Sequence, residues 1–315
     1  MQRRRRRPGP GALVEGRCTV VFEASAILNQ VIWGVMVGTG YALMAMSFSL
    51  IFATSGMINF AVGEFAMLAA YVCFSVLSKV SGQFLPAALL ALVVTAAFAM
   101  LVERIAFRRL YMLDPILVLI GTIGLSSILK NLVLVVWGPD SMSVPQYFDV
   151  QPVFIGPLTI IPQNAVVAAV GLVVMIVFHL FMRRTKTGTA MRATAQSVRG
   201  AMLVGINTQR CISLSWGLGA LLAGISGTMM AFVYNISIDM GGALSLKGFT
   251  SAVFGGLASL TSATAGGVLL GVVENMSAMV FDYGYKDVVA FLVIVLIMLF
   301  KPEGLFSRTA SLRRV

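Results

Sequence analysis

Eight mainly apolar stretches follow one another along the chain, near residues 27–51, 60–79, 84–102, 115–137, 163–182, 211–234, 248–281 and 287–300. A helix that crosses the hydrocarbon core of a bilayer needs about 20 such residues. Only 11% of the 315 residues are charged, against about 25% in soluble domains, so too little polar surface exists to cover a water-soluble globule. Soluble enzymes and disordered chains are both excluded. The fold class is all-α and polytopic, with eight or nine transmembrane helices. The seventh stretch is too long for one crossing and is interrupted by Gly, Ser and Thr around 255–267.

Basic residues orient the spans, because short cytoplasmic loops collect Lys and Arg. Arg104, Arg108 and Arg109 mark one cytoplasmic loop, and Arg183, Arg184, Lys186, Arg192, Arg199 and Arg210 mark a larger one. No Lys or Arg lies between Asn131 and Met182, which puts the Pro-rich segment 138–162 outside. Lys130 and Asn131 are expected to reach the outer interface. A parity conflict results. Three apolar stretches separate the Arg-rich start from Arg104, where two ends on one side need an even number. Either the N-terminus is outside, or one stretch does not fully cross. The difficulties fall where Gly and polar residues interrupt the apolar sequence, at Thr54-Ser-Gly-Met-Ile-Asn-Phe60 and Gly255-Gly-Leu-Ala-Ser-Leu-Thr-Ser262. Broken helices at matching places in two halves are a mark of transporters built from internal repeats.

Three regions follow: a basic, disordered N-terminal extension over 1–25, a transmembrane domain over 26–306, and a cytoplasmic tail over 307–315. The run Arg3–Arg7 supplies five of the net +11 charges. Nothing aromatic or glycine-rich accompanies it to read bases, so it is a solvated tail and no nucleic acid is expected. The first apolar stretch is too long for a cleavable signal and lacks a small-residue cleavage site. Cys18, Cys73 and Cys211 are odd in number and lack CxxC spacing, which gives neither a disulfide framework nor a metal site.

No catalytic set is legible. The one histidine, His179, stands beside Phe181-Met-Arg-Arg184 at a cytoplasmic helix end, where it is expected to snorkel to the interface. Gly224-Ile-Ser-Gly227 matches the GxSG of intramembrane serine proteases, whose serine needs a histidine base on a later helix. His179 precedes Ser226, and small residues at 217, 219, 220, 223, 224 and 227 read as close helix packing. A phosphate loop is missing too, since none of the six lysines follows a glycine. ATP-driven transport by this chain would take its hydrolysis from another subunit, and no cofactor is expected.

Carboxylates inside apolar sequence are informative, because a charge at the bilayer centre costs about 2.5–3.5 kcal/mol on insertion scales. Glu64 follows the first interruption, beside Asn59 and Gly63. It either faces a protein-lined pathway or caps a half-helix N-terminus, where its charge meets the positive dipole end. Glu274 reads as structural, neutralised by Lys286 or an arginine. The GxxxG pairs Gly34/Gly38 and Gly267/Gly271 permit close helix approach, although chance pairs are expected among 31 glycines. In the cytoplasmic segment 188–207, Arg192, Gln196 and Arg199 fall at i, i+4 and i+7, while Met191, Ala195, Val198 and Met202 form a second stripe. This predicts one or two short helices ended by Gly205. The small-residue stripe suits a protein groove better than a lipid surface.

Several of these pieces resemble the H-type permease subunit of bacterial branched-chain amino acid ABC importers. They are Tyr41-Ala-Leu43, Gly56-Met-Ile-Asn-Phe-Ala61 with Gly63-Glu64, Glu103-Arg104, Gly205-Ile-Asn-Thr208 with Arg210, Lys247-Gly-Phe-Thr250, Gly255-Gly256, Gly266-Gly267, Tyr285-Lys-Asp-Val288 and Lys301-Pro-Glu-Gly304. The resemblance runs in order over about 27–306. It implies a multi-pass protein of the bacterial inner membrane, surrounded by lipid and paired with a second, M-type permease chain. Two cytoplasmic ATPases and a periplasmic substrate-binding protein complete such an importer.

It further implies a translocation path at Asn59, Gly63 and Glu64. Coupling to the ATPase would fall to Arg192, Ala195, Gln196, Arg199, Gly205, Ile206 and Asn207. The substrates implied are branched-chain or other apolar amino acids, with urea and short amides as the alternative inside the wider family. Two departures stand out: Val62, where the family often has histidine, and Gln196, where it usually has an acid. Two other classes stay open, an ion-coupled secondary transporter using Glu64 or Glu274, and a membrane protease using Ser226.

Overall fold

The computed structural model describes residues 24–81, 83–111, 115–144, 151–155, 158–281, 283–301 and 304–306. The Arg-rich extension up to residue 23 and the tail from 307 lie outside the described residues, and Lys286 is described in its backbone alone. The described chain is almost wholly helical, as the apolar stretches predict.

Helix α1 (Ala24–Ser55) is followed by α2 (Val62–Val76), which runs into a π-helical turn over Leu77–Ser81. Helix α3 (Phe84–Val102) continues through a second π-helical turn (Glu103–Phe107) into the short α4 (Arg108–Leu110). Helix α5 (Pro115–Trp137) leads to a hairpin of β1 (Val153–Ile155) and β2 (Leu158–Ile160), paired antiparallel. Next come α6 (Pro162–Arg184), the short pair α7 (Lys186–Gln196) and α8 (Val198–Leu203), and α9 (Thr208–Val233). The chain closes with α10 (Met240–Gly255), α11 (Leu260–Val280) and α12 (Lys286–Phe300).

Seven helices among the described residues are long and apolar enough to cross a membrane. The sequence reading of eight or nine exceeds this by one or two, and counting the two shorter helices α10 and α12 gives nine. With 16 and 15 residues, α10 and α12 fall below the roughly 20 that a bilayer core asks for.

Contacts at the two ends of α1 resolve the parity conflict. Near its start, the Trp33 indole N–H donates to the Thr159 carbonyl at 2.9 Å, and the Thr159 N–H donates to Asn29 Oδ1 at 2.9 Å, which places this end beside the outer hairpin. At its other end, Leu50, Ala53 and Thr54 meet residues of the Arg-rich α6–α7 connection. The helix therefore runs from the outer to the cytoplasmic side. Helix α2 then returns outward, where the Trp137 indole N–H donates to Ser75 Oγ at 2.5 Å, and α3 comes back to Arg104. Three crossings separate the start of α1 from that cytoplasmic loop, and α1 begins outside.

Both interruptions are helix breaks. After α1 the chain turns at Gly56, whose φ of +72° lies in the left-handed region where a Cβ is penalised. After α10 it turns at Gly256, φ +120°, and Ser259 caps the next helix by accepting from the Ser262 N–H.

The two GxxxG pairs meet each other. Gly267 lies against Tyr41 and Ala42, and Gly271 against Gly34 and Gly38, so α1 and α11 approach at backbone distance. A Cβ on Gly38 would stand 2.8 Å from the Val268 carbonyl oxygen. Helices α1, α2 and α9 form the interior around Tyr41, Phe48, Phe65, Tyr71 and Trp216. Helices α3, α5 and α6 turn Leu85, Val93, Ile128, Val135 and Ile176 outward, the lipid-facing side of a bundle that has no water to hide from.

Candidate functional site: a helix break, a charged cluster and a cytoplasmic helix pair

The first break is held from both sides by hydroxyls. The Phe60 N–H donates to Thr122 Oγ1 of α5 at 3.3 Å, and Ser245 Oγ of α10 donates to the Phe60 carbonyl at 2.8 Å. Asn59 Oδ1 accepts from the Ala61 N–H at 2.9 Å. Asn59, Gly63 and Glu64 all lie buried where α2, α5 and α10 meet. Gly63 packs so tightly on α10 that a Cβ would stand 2.6 Å from Ser245 Cβ.

Glu64 is 2% exposed. Its Oε1 accepts from Ser126 Oγ at 3.0 Å, and its carboxylate rests against Gly241 in the first turn of α10. Glu64 lies in the first turn of its own helix α2, and its carboxylate also faces the N-terminus of α10, so two positive dipole ends meet it. Glu64 Oε2 and Asn59 Nδ2 are buried with no hydrogen-bond partner among the described residues. Two such atoms in one break ask for an explanation beyond packing.

Glu274 is paired with Lys247, which the sequence reading did not name; the Lys286 side chain, expected as its partner, lies outside the described residues. Lys247 Nζ of α10 stands 2.9 Å from Glu274 Oε1 of α11 and 2.9 Å from Asp287 Oδ1 of α12. It also donates to the Tyr41 hydroxyl of α1 at 3.1 Å, and that hydroxyl donates to Glu274 Oε1 at 3.4 Å. Four helices thus meet at one ammonium. Sequence reasoning missed this cluster, although a usable signal was present: Lys247 is the lone cation in an apolar run on which intramembrane carboxylates converge.

On the cytoplasmic side the segment 188–207 forms two helices, as predicted. Each of the three successive starts is capped by a side chain. Thr185 accepts from the Gly188 N–H, Ser197 from the Gly200 N–H and Asn207 from the Arg210 N–H, each at 3.0 Å. Such caps contribute about 1 kcal/mol apiece. Gly205, with φ +82°, makes the turn between α8 and α9.

The expected stripe does not stay on one face. The turn at Ser197 breaks the helical period, so Met191 is buried while Ala195, Val198 and Met202 are exposed. Arg192, Gln196, Arg199, Gly205 and Asn207 are exposed too, and Ile206 is half-buried. The tip of the pair carries Met202, Leu203 and Val204, with Leu203 88% exposed. Beneath α7 lies a cavity of about 320 Å³ lined by His179, Arg183, Arg192, Ala195, Gln196 and Ser259.

The remaining candidates are structural. Ser226 is fully buried and its hydroxyl donates to the Gly40 carbonyl at 2.8 Å. Glu103, Ser213 and Arg108 tie α3 to α9: Ser213 Oγ donates to Glu103 Oε2, and Arg108 Nη2 donates to Ser213 Oγ at 3.0 Å. Lys130 pairs with Asp239 at 2.6 Å, both largely exposed. Cys73 and Cys211 are buried free thiols, and no cluster able to hold a metal occurs among the described residues.

The family model described as "Branched-chain amino acid transport system / permease component" matches residues 31–298. The high-affinity branched-chain amino acid transport system permease protein LivH of Escherichia coli (strain K12) is 34% identical over 295 residues, covering 89% of this chain and 96% of that one. The corresponding permease protein BraD of Pseudomonas aeruginosa is 34% identical over 294 residues, with the same coverage. The LivH protein of Salmonella typhimurium is 32% identical over 295 residues, again covering 89% and 96%.

Proposed function

Because the chain belongs to the family of branched-chain amino acid transport permease components, we propose that it forms part of the path by which an ABC importer brings branched-chain or other apolar amino acids across the bacterial inner membrane. Its partners in this reading are an M-type permease chain, two cytoplasmic ATPases and a periplasmic binding protein. The chain itself catalyses nothing; purified alone, it is expected to bind no ATP, since it has no phosphate loop.

One observation carries the mechanism. A capped helix pair with an exposed apolar tip at Met202–Val204 projects on the cytoplasmic side, between α6 and the central helix α9. A mover that uses energy made elsewhere needs a stiff lever, and three side-chain caps provide stiffness. Arg192, Ala195, Gln196 and Arg199 form its exposed polar side, and Gly205, Ile206 and Asn207 its attachment to α9. Motion of α7–α8 reaches the two helix breaks through α9 and α1.

Asn59, Gly63 and Glu64 act at the first break. Their support is the pair of buried, unpartnered polar atoms, which gain partners when α2, α5 and α10 part. The test is ATP-dependent uptake by the assembly of both permease chains, ATPases and binding protein in proteoliposomes. Leucine uptake is expected; uptake of urea or acetamide in place of leucine overturns the substrate, and uptake driven by an ion gradient without ATP overturns the class.

A further inference from the structure

The cavity beneath α7 carries a charge that nothing around it balances. Among the residues that line it, Arg183 and Arg192 bring two positive charges, and no Asp or Glu is present. Neither guanidinium has an ion-pair or hydrogen-bond partner among the described residues. The fold brings the two arginines to one place. Arg183 lies in the last turn of the span α6, and Gly188 seats the start of α7 on that end, where a Cβ would stand 2.6 Å from Met182 Cα. Arg192 follows Gly188 about one helical turn further along α7.

The opposite wall adds a third source of positive potential. Leu260 and Thr261 line the cavity and open the 21-residue helix α11, and first-turn N–H groups have no acceptor inside their own helix. Ser259 caps only the Ser262 N–H. Leu50, Met182 and Met191 supply apolar wall, and the volume of about 320 Å³ lies at the lower end of small-molecule sites, which run from about 300 to 1,000 Å³. A carboxylate is answered by one guanidinium. A phosphate group presents more acceptor oxygens and suits two guanidiniums and a helix N-terminus together. A zwitterionic head fits poorly, because no carboxylate lines the cavity to receive its cation.

We propose that this cavity is a binding site for a phosphate-bearing anion, held by Arg183 and Arg192 against the first turn of α11. Two sources present such a group: the headgroup of an anionic phospholipid, and a small phosphate ester in the cytoplasm. Depth favours the lipid. The cavity is lined by the last turn of α6 and by Leu50, Ala53 and Thr54 at the cytoplasmic end of α1, the level at which basic pockets between spans meet anionic headgroups. Occupied, the site links α7 to the end of α1 and to the second break. It needs no assumption about the cargo.

The experiment titrates the permease assembly, purified in a neutral detergent, with phosphatidylglycerol or phosphatidylcholine and counts bound lipids by native mass spectrometry. Glycerol 1-phosphate is the soluble probe. Phosphatidylglycerol is expected to be retained in preference to phosphatidylcholine. Arg183→Gln and Arg192→Gln are each expected to weaken its binding about tenfold, the scale of one charge-assisted hydrogen bond. Arg184→Gln removes the same charge from an exposed neighbour that does not line the cavity, and should leave binding unchanged. Ala258→Trp, at an exposed position on the cavity wall, fills the space and should abolish binding.

Equal weakening by Arg184→Gln and Arg183→Gln overturns the proposal, because the attraction is then that of a diffuse basic surface. Equal retention of the two lipids overturns it too, as does binding unchanged in both Arg183→Gln and Ala258→Trp. If glycerol 1-phosphate binds with the same dependence on Arg183 and phosphatidylglycerol does not, the site stands and its ligand is the soluble ester.

Discussion

Lys247 Nζ on α10 lies 2.9 Å from Glu274 Oε1 on α11, with the lysine side chain 15% exposed and the glutamate 1%. The two residues are 27 positions apart and lie on consecutive helices separated by the Gly256 break. Their pairing fixes how α10 and α11 fold back on each other.

Lys247→Met removes the ammonium from the buried Glu274, and breaking a buried pair in this way costs about 3–5 kcal/mol. The detergent-solubilised variant is expected to melt well below the wild type. Adding Glu274→Gln should restore much of the loss, because the buried negative charge is then gone. A double variant no more stable than the single would show that the pair does not carry this energy.

Glu64→Gln is expected to lower ATP-driven uptake by about tenfold, equivalent to about 1.4 kcal/mol in the barrier, with membrane abundance and ATPase association unchanged. The Ser126 hydrogen bond to Oε1 survives in the amide, so folding has little to lose. Loss of the protein from the membrane would instead make Glu64 a structural residue.

Ala195→Asp and Leu203→Asp test the lever. Both positions are exposed in the isolated chain, so neither change costs it much; a charge buried without partner under the ATPase is strongly unfavourable. Uptake should vanish and ATPase co-purification weaken, with normal insertion. Gln196→Glu, which puts in the acid that the family resemblance implies at this position, should be tolerated. Normal assembly and transport by Ala195→Asp would move the coupling role to another loop.

Gly38→Leu is expected to destabilise the chain by about 1–3 kcal/mol or more, since the side chain must push α1 off the α11 backbone. Gly124→Ala is the control, because nothing lies within 4 Å of its added carbon. Equal melting points for the two variants would mean that the glycine contact is not tight.

How much was legible beforehand differed from place to place. The breaks at 54–60 and 255–262 were readable because glycines and hydroxyl residues inside apolar sequence have a local meaning: they end helices. The two cytoplasmic helices were readable from residue spacing and the Gly205 stop. The stripe through Met191, Ala195, Val198 and Met202 was misread, because a periodicity count runs straight through a Ser197 cap that resets the helix axis. The pairing of Glu274 with Lys247 was not read, since nearness along a chain is a poor guide once helices fold back.

By itself, the sequence determined that this is a helical membrane protein, which segments enter the bilayer, which loops face the cytoplasm and where helices break. Those properties depend on hydropathy, charge and backbone preference, all of which act within about one helix length. Only the tertiary structure decided that Gly34 and Gly38 face Gly267 and Gly271, that α1 starts on the outer side, that Glu64 meets the N-terminus of α10, and that Lys247 gathers Tyr41, Glu274 and Asp287. In a bilayer the apolar faces of helices are nearly equivalent to lipid, so hydrophobicity does not choose partners. Close glycine contacts and buried ion pairs choose them, and both exist only once distant segments have come together.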